Sequence, residues 1–233
     1  MKSSKSFSNT TSLHGIFDGD ELLTSLGGVN KVFLAYCSSD GWIGDAPASE
    51  ITWGYEFRGQ RIIRSALTDL VTKGLITSKS TILFSGGSAG ARGMMNNVDF
   101  LPAYLPDGAT VDGAFLDSSF TLDYEPYSNS FVGFRNETQE IFNRYNVSAI
   151  IPADCAAAYP GDDMWKCNMG QYRMKFLRTP YVLVASQYDS YQLSNNIGVD
   201  PVNGTYEDES MTAYAEGWAA TANKYVLTTI NPL

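Results

Sequence analysis

The sequence has 233 residues, which is enough for one α/β domain and short for two. Hydrophobic residues make up 44% of the chain and aromatic residues 13%, which is typical of a globular protein with a sizeable core and excludes a disordered chain. The net charge of −9 disfavours nucleic-acid binding, because phosphate recognition needs clustered lysine and arginine. No apolar stretch approaches the roughly 20 residues that a membrane-spanning helix needs.

The pattern of apolar residues predicts alternating strands and helices along the chain. Strands are predicted over residues 31–36, 80–84, 112–116, 181–185 and 225–230. Helices are predicted over residues 57–73, 89–98, 136–145 and 207–223, the first of them ended by Gly74. This order predicts an α/β fold with a mostly parallel sheet flanked by helices. Sites in such sheets lie at the carboxyl ends of the strands, so the residues after each strand are the ones to consider.

Ser88 follows one of these strands, within the sequence Gly86-Gly87-Ser88-Ala89-Gly90. A nucleophile elbow needs a sharp turn between strand and helix, and glycines two positions before and after the serine let the two elements pack closely. The amide of Ala89, at the start of the helix, would be one oxyanion donor. An ordinary glycine-rich turn is the alternative interpretation. A phosphate loop is disfavoured, because no Gly-Lys-Ser/Thr follows and the dinucleotide-binding glycine pattern is absent.

A serine esterase also needs an acid and a base. The acid should follow a later strand, which makes Asp189 the first choice and Asp117 the second. Asp189 could instead be an exposed loop carboxylate, and Asp117 a turn or helix cap. The single histidine, His14, lies upstream of Ser88, where a structural role is favoured over that of a base. The triad is therefore incomplete on these residues, and the predicted chemistry uses no cofactor and no metal.

Cysteines and glycosylation triplets bear on the cellular compartment. Cys155 and Cys167 are twelve positions apart, which fits a local disulfide and two free thiols about equally, and Cys37 is left over. Residues 1–8 carry charges with no apolar core after them, so they do not predict a signal peptide. Asn-x-Ser/Thr triplets, which are glycosylation candidates, begin at Asn9, Asn136, Asn146 and Asn203.

A series of short segments runs through most of the chain. In order, they are Tyr36-Cys37-Ser38-Ser39-Asp40-Gly41-Trp42-Ile43-Gly44, Phe57-Arg58-Gly59-Gln60, Phe84-Ser85-Gly86-Gly87-Ser88-Ala89-Gly90, Asn97-Val98-Asp99, Leu116-Asp117-Ser118, Leu122-Asp123, Pro152-Ala153-Asp154-Cys155, Trp165-Lys166-Cys167, Thr179-Pro180 and Gln187-Tyr188-Asp189-Ser190-Tyr191-Gln192-Leu193. In these segments and in their order the chain resembles the pectin acetylesterase family, which includes the plant pectin acetylesterases and the animal carboxylesterase Notum. The Cys-Ser-Ser-Asp-x-Trp and Trp-x-Cys forms look closer to the Notum-like members than to the plant ones.

The resemblance implies an α/β-hydrolase-like carboxylesterase with Ser88 as nucleophile, Asp189 as triad acid and the Ala89 N–H in the oxyanion hole. It gives Asp117 a structural role. The expected substrate is an O-acetylated polysaccharide such as pectin. A Notum-like acyl-protein deacylase and a non-catalytic binding pseudoenzyme or fragment are the alternatives.

The resemblance also implies an extracellular protein, and it favours a disulfide between Cys155 and Cys167. One domain is expected over residues 1–233, and it is an incomplete one. It lacks the family's upstream Gly-Gly-Trp-Cys-type segment, which completes the oxyanion hole, and the downstream segment that carries the catalytic histidine. Weak or no esterase activity is therefore expected of this sequence as it stands.

Overall fold

A sheet of parallel strands positions the candidate site. The computed structural model describes residue 5 and residues 7–8, 10–12, 29–129 and 131–229. Its strands are β1 (Thr81–Gly87), β2 (Thr110–Asp117) and β3 (Tyr181–Val184). They lie in the order β1-β2-β3, all parallel, with Gly87, Asp117 and Val184 in register at the carboxyl edge. The residues that follow all three strands therefore meet along one edge, as the sequence predicts.

Helices connect the strands and flank the sheet. The α-helices are α1 (Gly59–Thr72), α2 (Ala89–Asn97), α3 (Gly133–Arg144), α4 (Ala153–Ala158), α5 (Gly170–Arg173), α6 (Ser190–Ile197) and α7 (Glu209–Thr229). Shorter 3-10 segments cover Val98–Tyr104, Ser148–Ile150, Gly161–Asn168 and Met174–Phe176. Among the described residues, no helix has the length and apolarity needed to cross a membrane.

The two faces of the sheet differ in burial. On one face, Phe84 and Leu116 pack into the main core, where Trp218 of α7 is among the largest fully buried side chains. Strand alternation places Leu83, Val182 and Val184 on the other face, where they are 48%, 57% and 46% exposed. All-parallel sheets are usually covered on both faces, so this exposed apolar face is unusual for the architecture.

The predicted helices and three of the five predicted strands are confirmed, with shifts of a few residues at their ends. The strand predicted over residues 31–36 is wrong: these residues form no strand, and a β-favouring sequence needs a neighbour before it becomes one. The strand predicted over residues 225–230 is also wrong, because residues up to 229 continue α7. Tyr225 and Val226 extend the helical spacing of Trp218 and Ala222 and pack against the same core.

Arg173 is fully buried and joins three segments that are distant in sequence. Its guanidinium donates to the carbonyl oxygens of Asn96 at 3.0 Å, Ile150 at 2.9 Å and Cys167 at 3.5 Å. Burial lowers the pKa of Arg173 to about 10, so the group stays charged at neutral pH. Because Asn96 lies in the last turn of α2, the cation also meets the negative end of that helix. Cys167 is disulfide-bonded to Cys155, with 6.0 Å between their Cα atoms.

Replacing Arg173 with methionine should lower the free energy of unfolding by about 3–5 kcal/mol, because three buried carbonyls lose their donor at about 1–3 kcal/mol each. Urea denaturation followed by circular dichroism measures the change. Arg178→Met is the matched control, since its side chain is 72% exposed and makes one ion-pair contact, 3.7 Å from Asp154. It should change stability by less than about 0.5 kcal/mol. Equal losses in the two variants would contradict this role of Arg173.

Candidate active site

Ser88 lies in a sharp turn between β1 and α2. Its backbone has φ 51° and ψ −118°, a conformation that costs a non-glycine residue about 1–3 kcal/mol. The Ser88 N–H donates to the carbonyl oxygen of Asp117 at 2.8 Å, and its carbonyl oxygen accepts from the N–H of Arg92 at 2.9 Å. The residue is exposed and its side chain does not cap α2. The turn therefore presents the hydroxyl outward at the carboxyl edge, as a nucleophile elbow requires.

The absence of a side chain at Gly86 makes this turn possible. A Cβ on Gly86 would overlap the backbone of Gly90 and lie 2.6 Å from the nitrogen of Ala91. A Cβ on Gly90 would meet no atom within 4 Å. Of the two glycines expected to allow close packing, only Gly86 needs to lack a side chain. Gly90 takes part in the contact through its backbone, which lies against Gly86.

Helix α2 begins at Ala89, directly after the turn. The first N–H groups of a helix have no partner within that helix, and they carry its positive dipole end. The N–H of Ala89 therefore has the chemistry of an oxyanion donor beside the Ser88 hydroxyl. Its role in catalysis stays a prediction.

Asp189 lies between β3 and α6 at the same edge of the sheet. It is half-buried, and its Oδ1 accepts from the N–H of Gln192 at 2.8 Å, which caps α6. The side chain of Gln192 in turn binds the backbone of Phe120 and Leu122, at 2.8 and 2.9 Å. Gln192 was not predicted from the sequence, although the spacing Asp189-x-x-Gln192 is a recognisable helix-start pattern.

One strand separates the loops that carry Ser88 and Asp189. Strand β2 lies between β1 and β3, so the two loops that carry these residues are about 10 Å apart at two strand spacings. An imidazole with a hydrogen bond at each ring nitrogen spans a distance of this order. Asp117 lies on the intervening strand, exposed, with its Oδ1 accepting from Ser118 Oγ at 2.9 Å.

No histidine occurs in the described part of the chain, and His14, the only one in the sequence, falls outside it. Asn9 also falls outside the described residues. Within those residues, no group of three or more His, Cys, Asp or Glu side chains is placed to hold a metal ion. The structure therefore brings the Ser88 turn, the start of α2 and Asp189 to one edge, without a base among the described residues.

Asp40 is a buried carboxylate that the sequence did not single out. It accepts hydrogen bonds from Ser38 Oγ at 2.5 Å and from the N–H groups of Trp42, Gly44 and Gly59 at 2.9, 3.1 and 2.7 Å. Four donors compensate the loss of hydration that burial imposes on the charge. The carboxylate thereby fixes the loop of residues 38–44.

This loop packs against α2, the helix that follows Ser88. Asn97 donates from Nδ2 to the carbonyl oxygen of Trp42 at 3.0 Å, and a Cβ on Gly93 would come within 2.9 Å of the carbonyl oxygen of Gly41. Tyr36 completes the contact, because its hydroxyl accepts from the N–H of Gly41 at 2.6 Å. Burial raises the pKa of Tyr36 to about 12, and the nearby Asp40 charge adds to the rise.

Comparison with known proteins places these features in a family. The sequence profile described as pectinacetylesterase matches residues 1–225. The chain belongs to the pectinacetylesterase family. The palmitoleoyl-protein carboxylesterase notum2 of Xenopus laevis is 32% identical over 174 residues, which are 71% of this chain and 35% of that protein. Pectin acetylesterase 11 of Arabidopsis thaliana is 28% identical over 166 residues, 71% of this chain and 41% of that protein.

The fold is that of a solved family member. The structure of the Wnt deacylase Notum from Drosophila superposes with a TM-score of 0.70 at 23% identity, covering 83% of this chain and 55% of that one. The parallel sheet flanked by helices is therefore α/β-hydrolase-like. The chain spans about a third of the length of the Notum relatives that it matches, 35% in the first of them.

Replacing Gly86 with alanine should cost about 3 kcal/mol or more of unfolding free energy, because the added Cβ forces α2 away from β1. The matched change Gly90→Ala should alter stability by less than about 1 kcal/mol, since open space surrounds that position and alanine favours helices. Thermal unfolding followed by circular dichroism measures both. A Gly90→Ala loss as large as that of Gly86→Ala would contradict the packing argument.

The Tyr36 phenol should make stability fall in alkaline solution. Its pKa in the folded protein, about 12, lies above the ordinary value of 10, so folding favours the neutral phenol. That stabilisation is complete below pH 10 and is lost as the pH rises through 12. Between pH 9 and 11, the unfolding free energy should decrease less in Tyr36→Phe than in the unmodified chain. The difference between the two decreases should be up to about 1 kcal/mol, which allows for solvent screening.

Urea midpoints at the two pH values measure this difference. Tyr55→Phe is the control, because Tyr55 is exposed and its replacement should leave the alkaline loss unchanged. The same alkaline loss in Tyr36→Phe as in the unmodified chain would refute the assignment.

Proposed function

We propose that this chain carries the nucleophile of a serine carboxylesterase that deacetylates an O-acetylated polysaccharide such as pectin. The observation that carries the proposal is the backbone of Ser88, held at φ 51° and ψ −118° between a strand and a helix. Strained non-glycine residues of this kind concentrate at active sites. Membership of the pectinacetylesterase family supports the ester class and the acetylated substrate.

In this proposal the Ser88 hydroxyl oxygen attacks the ester carbonyl carbon while a base takes its proton. The N–H of Ala89 stabilises the oxyanion, and the bond to the sugar oxygen then breaks as that oxygen takes up the proton. Water hydrolyses the acetyl-Ser88 ester and releases acetic acid. Asp189 orients the base from the far side of β2.

The base is proposed to be a histidine outside the described residues. The Notum relatives carry sequence beyond the matched part, since this chain covers 35% of the first of them. A histidine there is favoured over His14, which lies upstream of Ser88. In this proposal residues 1–233 form one domain that gains its second oxyanion donor and its base from further family segments. Without a base the same fold would act as a binding protein.

We further propose that the protein is extracellular. The Cys155–Cys167 disulfide suits an oxidising compartment, and Cys37 is the free cysteine of the described residues. Its substrate would be an acetylated polysaccharide and not a nucleic acid, whose recognition needs clustered lysine and arginine that a chain with a net charge of −9 does not favour.

Added imidazole should act as the base in place of the histidine and so restore part of the esterase activity. We expect 4-nitrophenyl acetate hydrolysis by the chain to rise with imidazole concentration beyond the rate of imidazole alone. Ser88→Ala should abolish the excess, and Asp189→Asn should reduce it at least about tenfold by leaving the bound imidazole unoriented. Mass spectrometry should detect an acetyl group on the peptide that contains Ser88. Ser118→Ala is the control, because Ser118 is another exposed serine at the same edge of the sheet. In this variant, acetylation of Ser88 should persist.

An excess rate that survives Ser88→Ala would exclude Ser88 as the nucleophile. No excess rate and no acetyl-Ser88 at any imidazole concentration would favour the non-catalytic binding protein.

A second candidate is an acyl-protein deacylase. The relatives described as palmitoleoyl-protein carboxylesterases are 32% and 33% identical to this chain, above the 28% of pectin acetylesterase 11. The same assay with a long-chain 4-nitrophenyl ester separates the two candidates. Preference for the long acyl chain supports the deacylase, and preference for acetate supports the polysaccharide esterase.

A further inference from the structure

A groove of about 400 Å³ lies away from the Ser88 turn, between the loop before α1 and the end of α3. Its walls combine apolar side chains with polar ones, among them Ala46, Pro47, Ile51, Arg144, Asn146 and Ser148. One of these residues, Asn146, begins the triplet Asn146-Val147-Ser148. A candidate attachment atom for a glycan is therefore part of the groove wall.

Asn146 is exposed but firmly held. Its backbone adopts the left-handed conformation, φ 52°, and its Nδ2 donates to the carbonyl oxygen of Asp45 at 3.3 Å. The preceding residue, Tyr145, stacks on Phe57 with 3.9 Å between ring centroids, and the following residue, Val147, is buried. An N-linked asparagine keeps one Nδ2 hydrogen, so the bond to Asp45 can persist after modification.

The turn that carries the groove residue Ile51 displays two large apolar side chains, Ile51 and the neighbouring Trp53, which lies beside the groove. Ile51 and Trp53 are 59% and 58% exposed, and Trp53 has the strained φ of 54°. Between them, Thr52 is buried, accepts from the N–H of Ser49 at 2.9 Å and donates to the carbonyl oxygen of Pro47 at 3.1 Å. A turn held in this way keeps two large apolar side chains in contact with water.

Arg144, which lines the groove, contacts both Ile51 and Trp53 of this turn. Its guanidinium carbon lies 5.0 Å from the centre of the Trp53 ring, and its Nη1 donates to the carbonyl oxygen of Ile51 at 3.3 Å. An ion pair with Glu140 fixes the same guanidinium. The position of the aromatic ring is thus set relative to the helix end that precedes Asn146.

We propose that Asn146 carries an N-linked glycan whose first N-acetylglucosamine residues lie in this groove, against Ile51, and extend to the Trp53 ring beside it. A pyranose ring has an apolar C–H face and a polar edge of hydroxyl and acetamido groups, and the groove offers matching apolar and polar surfaces. In the attachment step, the bond from the sugar's anomeric carbon to the diphosphate of a lipid-linked oligosaccharide breaks. A bond to Asn146 Nδ2 forms, that nitrogen loses a proton and the lipid diphosphate leaves. The inference rests on the proposed extracellular route and not on the esterase activity.

The other described triplets differ in their surroundings. Asn136 lies inside α3, where its Nδ2 donates to the carbonyl oxygen of Val132 at 2.6 Å. Asn203 lies at the tip of an exposed turn closed by Val202 and Thr205, and it lines neither this groove nor the cavity beside α6. A glycan on Asn203 would start outside both the groove and the cavity beside α6, which makes Asn203 the matched control.

The test uses the full chain secreted from eukaryotic cells behind a secretion leader, in two forms. In one, Asn146 is the only triplet left, after Asn9→Gln, Asn136→Gln and Asn203→Gln. In the other, Asn203 is the only one, after Asn9→Gln, Asn136→Gln and Asn146→Gln. Glycopeptide mass spectrometry should find Asn146 occupied. Trimming the glycan to one N-acetylglucosamine should change the melting temperature little. Complete removal of the glycan should lower the melting temperature by about 2–4 °C.

The glycan contacts are tested by variants of the turn that carries Ile51 and Trp53. In Ile51→Ser and Trp53→Asn, complete removal of the glycan should lower the melting temperature by less than about 1 °C. Asparagine is chosen at residue 53 because it tolerates the positive φ there. Complete removal from Asn203 should have no such effect, although it makes the same conversion of asparagine to aspartate. An unoccupied Asn146 in the secreted chain overturns the proposal. An equal loss of melting temperature on removal from Asn203 also overturns it, as does an unchanged loss in both Ile51→Ser and Trp53→Asn. Binding of a free oligosaccharide to the unglycosylated groove would then identify the alternative occupant.

Discussion

The missing side chain at Gly86 is the constraint on which the candidate site depends. Because nothing projects from that position, the backbone of Gly90 lies directly against β1, and the chain must reverse within three residues. Ser88 takes the conformation that this reversal demands, and hydrogen bonds with Asp117 and Arg92 hold it there. The exposed hydroxyl and the adjacent helix start are both consequences of one close contact between a strand and a helix.

Helix α2 is fixed along its length by two buried charges of opposite sign. Asp40 organises the loop that packs on α2 through Trp42, and Arg173 binds the carbonyl of Asn96 in its last turn. Neither charge touches Ser88. Both keep the helix from moving away from the sheet, so the strained turn is supported by polar contacts remote from it. In the proposed reaction, a serine held this way would need no rearrangement before it attacks the ester.

The elbow could be predicted because its information is local: an apolar run, small residues around Ser88 and a helical pattern follow one another in sequence. The role of Arg173 could not be predicted, because its partners Asn96 and Ile150 are 77 and 23 positions away in sequence. For residues 225–229 the local sequence was misleading. Their β preference predicted a strand, but they continue α7, because Tyr225 and Val226 pack against the core at helical spacing. Asp189 was predicted from its place after a strand, but the buried Gln192 that holds it depends on contacts with the chain after β2.

The exposed face of the sheet has a thermodynamic consequence. Leu83, Val182 and Val184 already contact water in the folded chain, so unfolding exposes less new apolar surface there than in a sheet covered on both sides. The heat-capacity increment of unfolding scales with newly exposed apolar area and is usually about 12–15 cal/mol/K per residue. In this chain the three partly exposed side chains lower the increment slightly, which makes the curve of stability against temperature slightly flatter. Any partner or further segment that covers the face would restore the curvature as it adds stability.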